Sequence, residues 1–406
     1  DPRVAGRMKT GAESASFMDP AVEPLGDRRF RIRFKRNSAS HAGTLEAGDR
    51  FVILARRVRG GLAHAAHSRR ITFVNIVSYA TVAGHYEGVR TDAAAILGCR
   101  ALIRDGRWKG GNADGVHFRS PRIGPWVEGC EFEGISDDSL VIYSRPYAIE
   151  EVLAPRRLRV SRMRFGGGSQ NLPVAPGGIQ PGDQLDIYDP AAGLVLATRA
   201  VSAFDSGADV VTLERALPPL EPGGGRARIQ IFNRAHGANY VLRDNALRNS
   251  RRYGVYVKAG NGVIEGNHIE GLSSNAFALF NEPGAPNGGF LHDVTVAGNV
   301  VVDCGHSRQY LSKRDSAAFS VYAKRIPYQM AERGTAHTRL RISGNAVHGW
   351  AGRAYYLGNI DGLDVSGNRW GPARPGATIP PDGEALVIHA CNDVRSSDNK
   401  HVPDGK

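Results

Sequence analysis

NYVLRDNALRN at residues 239–249, NGVIEGNHIEG at 261–271 and HDVTVAGNVVVD at 292–303 are three copies of one shape. Each opens on a short run in which apolar and polar residues alternate, turns near an Asn, and leaves by a second short run. Alternation at period 2 marks a half-buried strand. Working outward, the shape recurs upstream as RRITFVNIVSY (69–79), RALIRDGRW (100–108) and PWVEGCEFEG (125–134). Downstream it recurs as LRISGNAVHG (340–349), DGLDVSGNRW (361–370) and NDVRSSDN (392–399). The marker residues Asn245, Asn267, Asn299, Asn345, Asn368 and Asn399 are separated by 22, 32, 46, 23 and 31 residues. The short intervals fit one coil of a repeat. The longer ones read either as a coil carrying an insertion or as two coils of which one has lost its marker. A constant phrase at an irregular period predicts an all-β protein, a right-handed parallel β-helix whose inward side chains stack in ladders. Asn suits the corner because it tolerates a left-handed backbone and can bond its own backbone or the Asn stacked above. The asparagines are therefore read as corner ladders and not as ligands.

The repeats divide the chain. Residues 1–60 are polar and Arg-rich, with alternating runs at Phe30-Arg-Ile32-Arg-Phe34 and Phe51-Val-Ile-Leu54 that read as antiparallel strands. TLEAGD before the second run is echoed by IQPGDQLDIYD at 179–189, which points to two small β-barrel-like modules of one kind. Coils fill 61–146 and 234–406. Between them, at 147–233, Pro/Gly-rich sequence carries the runs QLDIY, LVLATRAV, DVVTLE and RARIQIF, separated by hairpin-sized turns. This is an inserted antiparallel β-barrel-like module, expected to wall a cleft beside the preceding corner. The chain opens DPRVAGRMKT, with neither an initiator Met nor a signal peptide, which reads as a processed or truncated product.

The net charge is +12, and 44 of the 52 basic residues are Arg. Such an excess suits a polyanionic partner, nucleic acid or acidic glycan, or else a solvated surface. The arginines are scattered, with no basic helix, zinc-finger spacing or aromatic nucleic-acid motif, so the surface reading is preferred and no nucleic-acid partner is expected. No run of about 18 apolar residues occurs, so no membrane helix is expected. Cys99, Cys130, Cys304 and Cys391 lack CxxC spacing; buried thiols are expected, with a disulfide the alternative.

Acid groups concentrate in Gly110–Ser144, GGNADGVHFRSPRIGPWVEGCEFEGISDDSLVIYS. Asp114 and the pair Asp137, Asp138 each sit on a corner ahead of an alternating run. Stacking Val116 and Phe118 on Leu140 and Ile142, and these on Val255 and Val257, sets Asp114 beside Asp138. The same register puts Tyr253 on the other side of Asp138 and Arg252 next to Asp137. Neighbouring strands lie about 4.8 Å apart, and carboxylates that close cannot all ionise, so one should hold a proton near neutral pH. A protonated acid beside ionised ones is what glycosidic-bond hydrolysis needs. Singly, NADG and SDDS are ordinary turn sequences; one coil apart and in register, the three aspartates are candidate catalytic residues. Candidate substrate contacts are His117, Arg251, Arg252, Tyr256, Lys258 and Glu282, each with an ordinary reading as a surface or salt-paired side chain. Trp108 and Trp126 flank the carboxylates and are read as packing residues before sugar-stacking ones, and Trp350 and Trp370 as packing. No metal or other cofactor is expected.

The order NADG, then DD, then a barrel insertion, then RRYGVYV and VIEGN, then NEPG ahead of HDVTVAGN, resembles the family-110 glycoside hydrolases over residues 45–399. The resemblance implies a right-handed β-helix with inserted β-barrels and an exo-acting, inverting α-1,3-galactosidase. It also implies that Asp114, Asp137 and Asp138 are the catalytic aspartates. A further similarity to polygalacturonases, which share the helix and an Asp plus Asp-Asp arrangement, implies Asp137 as the acid, with Asp114 and Asp138 holding the attacking water. The chain departs from the family pattern in SLVIYS, where an Asn and a His-Gly run would stand, and at Tyr253, which replaces the second Arg of Arg-x-Arg-Gly. It also implies upstream coils that are absent or shortened here. The alternatives are a polygalacturonase-like hydrolase or lyase of an acidic polysaccharide, and a non-catalytic β-helix that binds glycans or serves as an adhesin. The expected partner is an oligo- or polysaccharide, with an anionic one and a homo-oligomer both left open. A secreted or periplasmic location is expected because glycans are usually found outside the cell.

Overall fold

The computed structural model describes residues 17–34, 47–48, 61–163, 169–220, 228–285, 287–307, 316–327, 329–377, 379–380 and 382–403. Three parallel sheets of nine strands carry the coils, and each coil gives one strand to each sheet. One of these, hereafter the site sheet, runs through Val116–Arg119, Leu140–Tyr143, Val255–Val257, Phe277–Phe280, Ala317–Tyr322 and Arg353–Gly358 in spatial order. Val116 pairs with Leu140 and Leu140 with Val255, and Phe118 pairs with Ile142 and Ile142 with Val257. This is the register that the apolar alternation dictates: a slip of one residue would turn every inward side chain out. Inward positions stack like on like, with Phe277 on Phe319 at 4.1 Å and Phe319 on Tyr355 at 4.8 Å between ring centroids. They join a single hydrophobic core reaching from Tyr86 to Val365, where each fully buried Val, Leu or Phe contributes about 1.5–3 kcal/mol. Among the described residues there is no α-helix. The parallel β-helix with a barrel insertion is thus the fold that the repeats predict.

The marker asparagines form one ladder. The Nδ2 of Asn245 donates to Oδ1 of Asn267, and so on through Asn299, Asn345, Asn368 and Asn399, every step at 2.9 Å. Each Oδ1 also accepts the backbone N–H of the Asn in the coil before it, at 3.0–3.1 Å. Consecutive markers therefore always belong to adjacent coils, so the intervals of 32 and 46 residues are single coils carrying insertions. The left-handed backbone belongs to the residue before the marker and not to the marker itself: Asp244, Gly266, Gly298, Gly344, Gly367 and Asp398 have φ between 53° and 65°. That division of labour corrects the expectation that Asn supplies the left-handed turn. Upstream the ladder continues with Cys130, whose N–H donates to Asn245 Oδ1 at 3.0 Å. All four cysteines are free thiols.

The insertion is a closed six-stranded antiparallel barrel. Its strands follow the order Tyr147–Ala154, Gln230–Asn233, Gln184–Asp189, Leu194–Asp205, Val210–Leu213 and Arg157–Met163, the last pairing back with the first. Its Asp186 is buried and binds Arg234 at 2.8 Å and His292, on the helix, at 2.9 Å. Arg122 of the helix grips Asp183 at 2.7 Å, and the Gln230 Nε2 donates to the Pro283 carbonyl at 2.9 Å. The barrel leaves the helix after Tyr143 and Ser144, at the carboxy-terminal end of Leu140–Tyr143, whereas Asp137 and Asp138 enter at the amino-terminal end. The wall it forms therefore stands over the far end of the site sheet and not directly beside the carboxylates. At the amino terminus, Phe17–Gly26 pairs antiparallel with Arg29–Phe34. The run at 51–54 lies outside the described residues.

Candidate active site

Asp114, Asp137 and Asp138 offer one carboxylate oxygen each within 4.8 Å of one another. Sequence spacing brings this about: two corners one coil apart open onto the same edge of the site sheet. The surroundings of the three groups differ. Asp137 receives the Arg252 Nη1 at 2.6 Å and has the Arg251 Nη2 at 3.7 Å. Asp114 accepts from the backbone N–H of Asp138 at 3.1 Å and from the His117 Nδ1 at 2.8 Å. Burial opposes charge on that imidazole, but the Asp114 carboxylate outweighs it and pushes His117 up to about 9.

Asp138 is the most deeply enclosed, at 5 % exposure. Burial pushes its carboxyl up to about 8; Arg252, with Nε at 3.5 Å, pulls it down, while Asp137 and Asp114 add to the rise. The Tyr253 N–H points at its Oδ1 from the next coil, at 3.4 Å. The arrangement holds a proton on Asp138 near neutrality while Asp137 is ion-paired. This differs from the expectation that Asp137 is the acid: two guanidiniums against Asp137 favour its ionised form. Three clustered carboxylates could also hold a cation by distance alone, but Arg252 and Arg251 already supply positive charge at that place.

The other candidates lie on the outward face of the same sheet. Lys258 is 1 % exposed, its Nζ 3.6 Å from the Tyr256 ring centroid and 3.5 Å from Glu282 Oε2, and it donates to Asn287 Oδ1. Burial drives the Lys258 amine below its ordinary value. Burial would raise Glu282, but Lys258, Lys324 and Arg252 overcome it and hold the carboxyl at about 2. Tyr256 is raised well above the ordinary phenol value by burial, with Glu282 adding to it. Arg251 is buried, its Nε donating to the Ser136 carbonyl. The structure thus gathers all nine candidates on one face, in two groups. His117, Arg251 and Arg252 touch the aspartates, whereas Tyr256, Lys258 and Glu282 form an ion-paired wall one to two coils on.

Sequence reasoning missed three further residues of this wall. Tyr143 lies 5.3 Å from His117 between ring centroids, the Lys324 Nζ lies 3.8 Å from the Phe280 centroid, and Tyr322 stacks on Phe280 at 4.8 Å. Tyr143 follows from the register, since it pairs with Arg119 two places beyond His117; Lys324 follows the strand Ala317–Tyr322, which comes after an insertion in the Asn299 coil, so spacing alone could not place it. Trp126 is 47 % exposed on a different sheet, so it neither packs in the core nor faces the carboxylates. Trp350 is buried, with its Nε1 donating to the Gly371 carbonyl at 2.9 Å.

No protein-family model matches the chain. It is 25% identical over 399 residues to alpha-1,3-galactosidase B of Akkermansia muciniphila, covering 94% of this chain and 46% of that protein. It is 23% identical over 292 residues to alpha-1,3-galactosidase B of Bacteroides thetaiotaomicron, covering 71% of this chain and 46% of that protein. The chain therefore spans about half the length of these curated relatives. Among solved structures, the Gp54 tailspike of Acinetobacter baumannii bacteriophage AP22, in complex with capsular saccharide, matches with a TM-score of 0.22 and 10% identity over 82% of this chain and 52% of that one. In sequence the chain is similar to galactosidases, at low identity and over most of its length.

Proposed function

We propose that this chain is an exo-acting, inverting glycoside hydrolase that removes a terminal α-galactosyl residue, of the α-1,3-galactosidase type and family-110-like. The observation that carries the reading is the split among three carboxylates within 4.8 Å: a buried, proton-holding Asp138 beside an Asp137 paired with two guanidiniums. Asp138 gives its proton to the leaving glycosidic oxygen, and the carboxylates of Asp137 and Asp114 orient the attacking water, one of them taking its proton. Proton transfer from a positioned acid contributes on the order of 10²–10⁴ in rate. His117 and the Asp138 N–H hold Asp114 in place, and Arg252 does the same for Asp137. The oxygens are closer than the about 6.5–9.5 Å usual for inversion. Inversion here rests on a single water held between Asp114 and Asp137. End-wise action fits the closed face: every outward position of Phe277–Phe280 and Ala317–Tyr322 is buried, so the groove stops within a few coils. The galactose reading leans on the two relatives' names.

The test is turnover of aryl α-galactosides and of polygalacturonate by the full chain, by Asp114→Asn and by Asp137→Asn, with the first-formed anomer read by proton NMR. Hydrolysis of the galactoside with β-galactose appearing first, and loss of at least 100-fold in both variants, is expected. Wild-type turnover in both variants would sink the carboxylate mechanism. Loss of activity with EDTA would move the reading to a cation-dependent lyase.

A further inference from the structure

Beyond the carboxylates, the outward face of the site sheet runs from His117 through Tyr143 to a cleft between helix and barrel. The cleft is lined by Arg90, Arg119, Arg145 and Arg162, with Tyr147 and His236. Topology brings them together. Val89 pairs with Arg119 and Arg119 with Tyr143, so Arg90, Arg119 and Arg145 stand at the ends of three stacked strands. Arg162 comes from the barrel, opposite Tyr147.

These guanidiniums differ from most of the chain's other enclosed arginines. Arg122, Arg228, Arg234 and Arg353 each bind an Asp or Glu at 2.6–2.8 Å. Among the described residues, none of the four in the cleft has a carboxylate within 4.0 Å; the Arg162 Nε donates to the Pro173 carbonyl at 2.6 Å, and the Arg145 Nε is buried without a hydrogen-bond partner. Burial lowers Arg90 and Arg145, and neighbouring arginines lower both further. His236 on the cleft wall is pushed down to about 4, by burial first and then by Arg122 and Arg90, so it adds no charge near neutrality. Four like charges gathered without a carboxylate in contact, Asp183 and Asp92 acting only at longer range through the His236 wall and Tyr143 bonding Arg145, are a cost to the fold, and the same array is preorganised for a planar or tetrahedral oxyanion, which guanidinium forks bind in bidentate fashion.

We propose that this cleft is a subsite for an anionic oxyacid group, a carboxylate or a sulfate ester, carried by a sugar residue of the substrate several units from the cleaved bond. Arg119 lies five residues along the strand from Asp114, roughly 16 Å at about 3.3 Å per residue, which is the reach of a short oligosaccharide. The substrate class is then an acidic α-galactoside glycan. This rests on the hydrolase reading for the direction in which the sugar lies, but the anion site itself does not depend on catalysis.

The experiment measures, by calorimetry on the full chain, binding of three thio-linked oligosaccharides that cannot be hydrolysed: a neutral α-galacto-oligosaccharide, its sulfate ester and an oligogalacturonate. Binding of at least one anionic ligand 10-fold or more tighter than the neutral one is expected, and which of them is favoured identifies the group. The double variant Arg119→Gln/Arg162→Gln should erase that preference without lowering the melting temperature, and Arg119→Lys/Arg162→Lys should restore part of it. Equal affinity of the wild type for all three ligands, or a preference that survives the Gln substitutions, overturns the proposal. Should Asp138→Asn keep full galactosidase activity while the anion preference holds, the catalytic reading fails and this one stands.

Discussion

Asp137 and Asp138 are consecutive in the chain and electrostatically opposite. One meets two guanidiniums at 2.6 and 3.7 Å; the other turns into the protein, where burial lifts it from an ordinary 3.8 to about 8. That they would sit together was legible in the sequence, because apolar alternation sets the register of adjacent coils. Which would keep the proton was not, because the answer depends on the depth of one side chain and the reach of Arg252. The sign of the pH effect follows. Between about 3.8 and 8 the folded chain holds on Asp138 a proton that the unfolded chain has released. Its contribution to stability is therefore full at low pH and is lost as pH rises through about 8. The raised His117 acts in the same sense up to about 9, so the residue is isolated by difference. Urea midpoints at pH 5 to 8 should fall more steeply for wild type than for Asp138→Asn, and equal slopes would show that the carboxyl is ionised throughout.

At the scale of elements, the corner ladder is the most sequence-legible part of the molecule. Every marker from Asn245 to Asn399 bonds its neighbour. The rule is local and repeats: a left-handed Gly or Asp turns the chain, and the next residue buries an amide that satisfies both its own coil and the adjacent one. The longer intervals could not be parsed from spacing alone, since an insertion adds residues without adding a rung. Asn299→Ala would orphan the Asn267 N–H in the core and take a second donor from the Ile264 carbonyl, which keeps its place in the strand ladder. At about 1–3 kcal/mol for the one buried group left unpaired, it should cost about 1–3 kcal/mol by urea unfolding. The same change at Asn399, on the last rung and partly exposed, should cost less than half as much. Equal losses at both positions would mean that the ladder does not act through burial.

Over the whole molecule, helix and barrel are joined by buried ions. Asp186 is 1 % exposed, and its pKa is held below the ordinary range because Arg234 and His292 overcome the effect of burial. Asp186→Ala strands both partners at the junction, and removing one member of such a pair costs about 3–5 kcal/mol; differential scanning calorimetry should show the barrel melting ahead of the helix, where wild type gives one transition. The barrel was visible as a break in the repeats, but its placement was not. The insertion leaves from the end of the strand opposite to the aspartates, so the cleft it walls is the arginine cleft. Part of the charge excess, read from a scattered sequence as solvated surface, is concentrated there by stacked strand ends 29 residues apart at Arg90 and Arg119.

Leaving-group dependence isolates the proposed role of Asp138 as the proton donor in a glycosidic cleavage. kcat/KM is measured for wild type and Asp138→Asn on an α-galactosyl disaccharide, whose leaving alcohol needs a proton, and on 2,4-dinitrophenyl α-galactoside, whose phenolate does not. A loss of about 10²–10⁴ on the disaccharide and of less than tenfold on the dinitrophenyl substrate is expected. Equal losses on both, or none on the disaccharide, would contradict it.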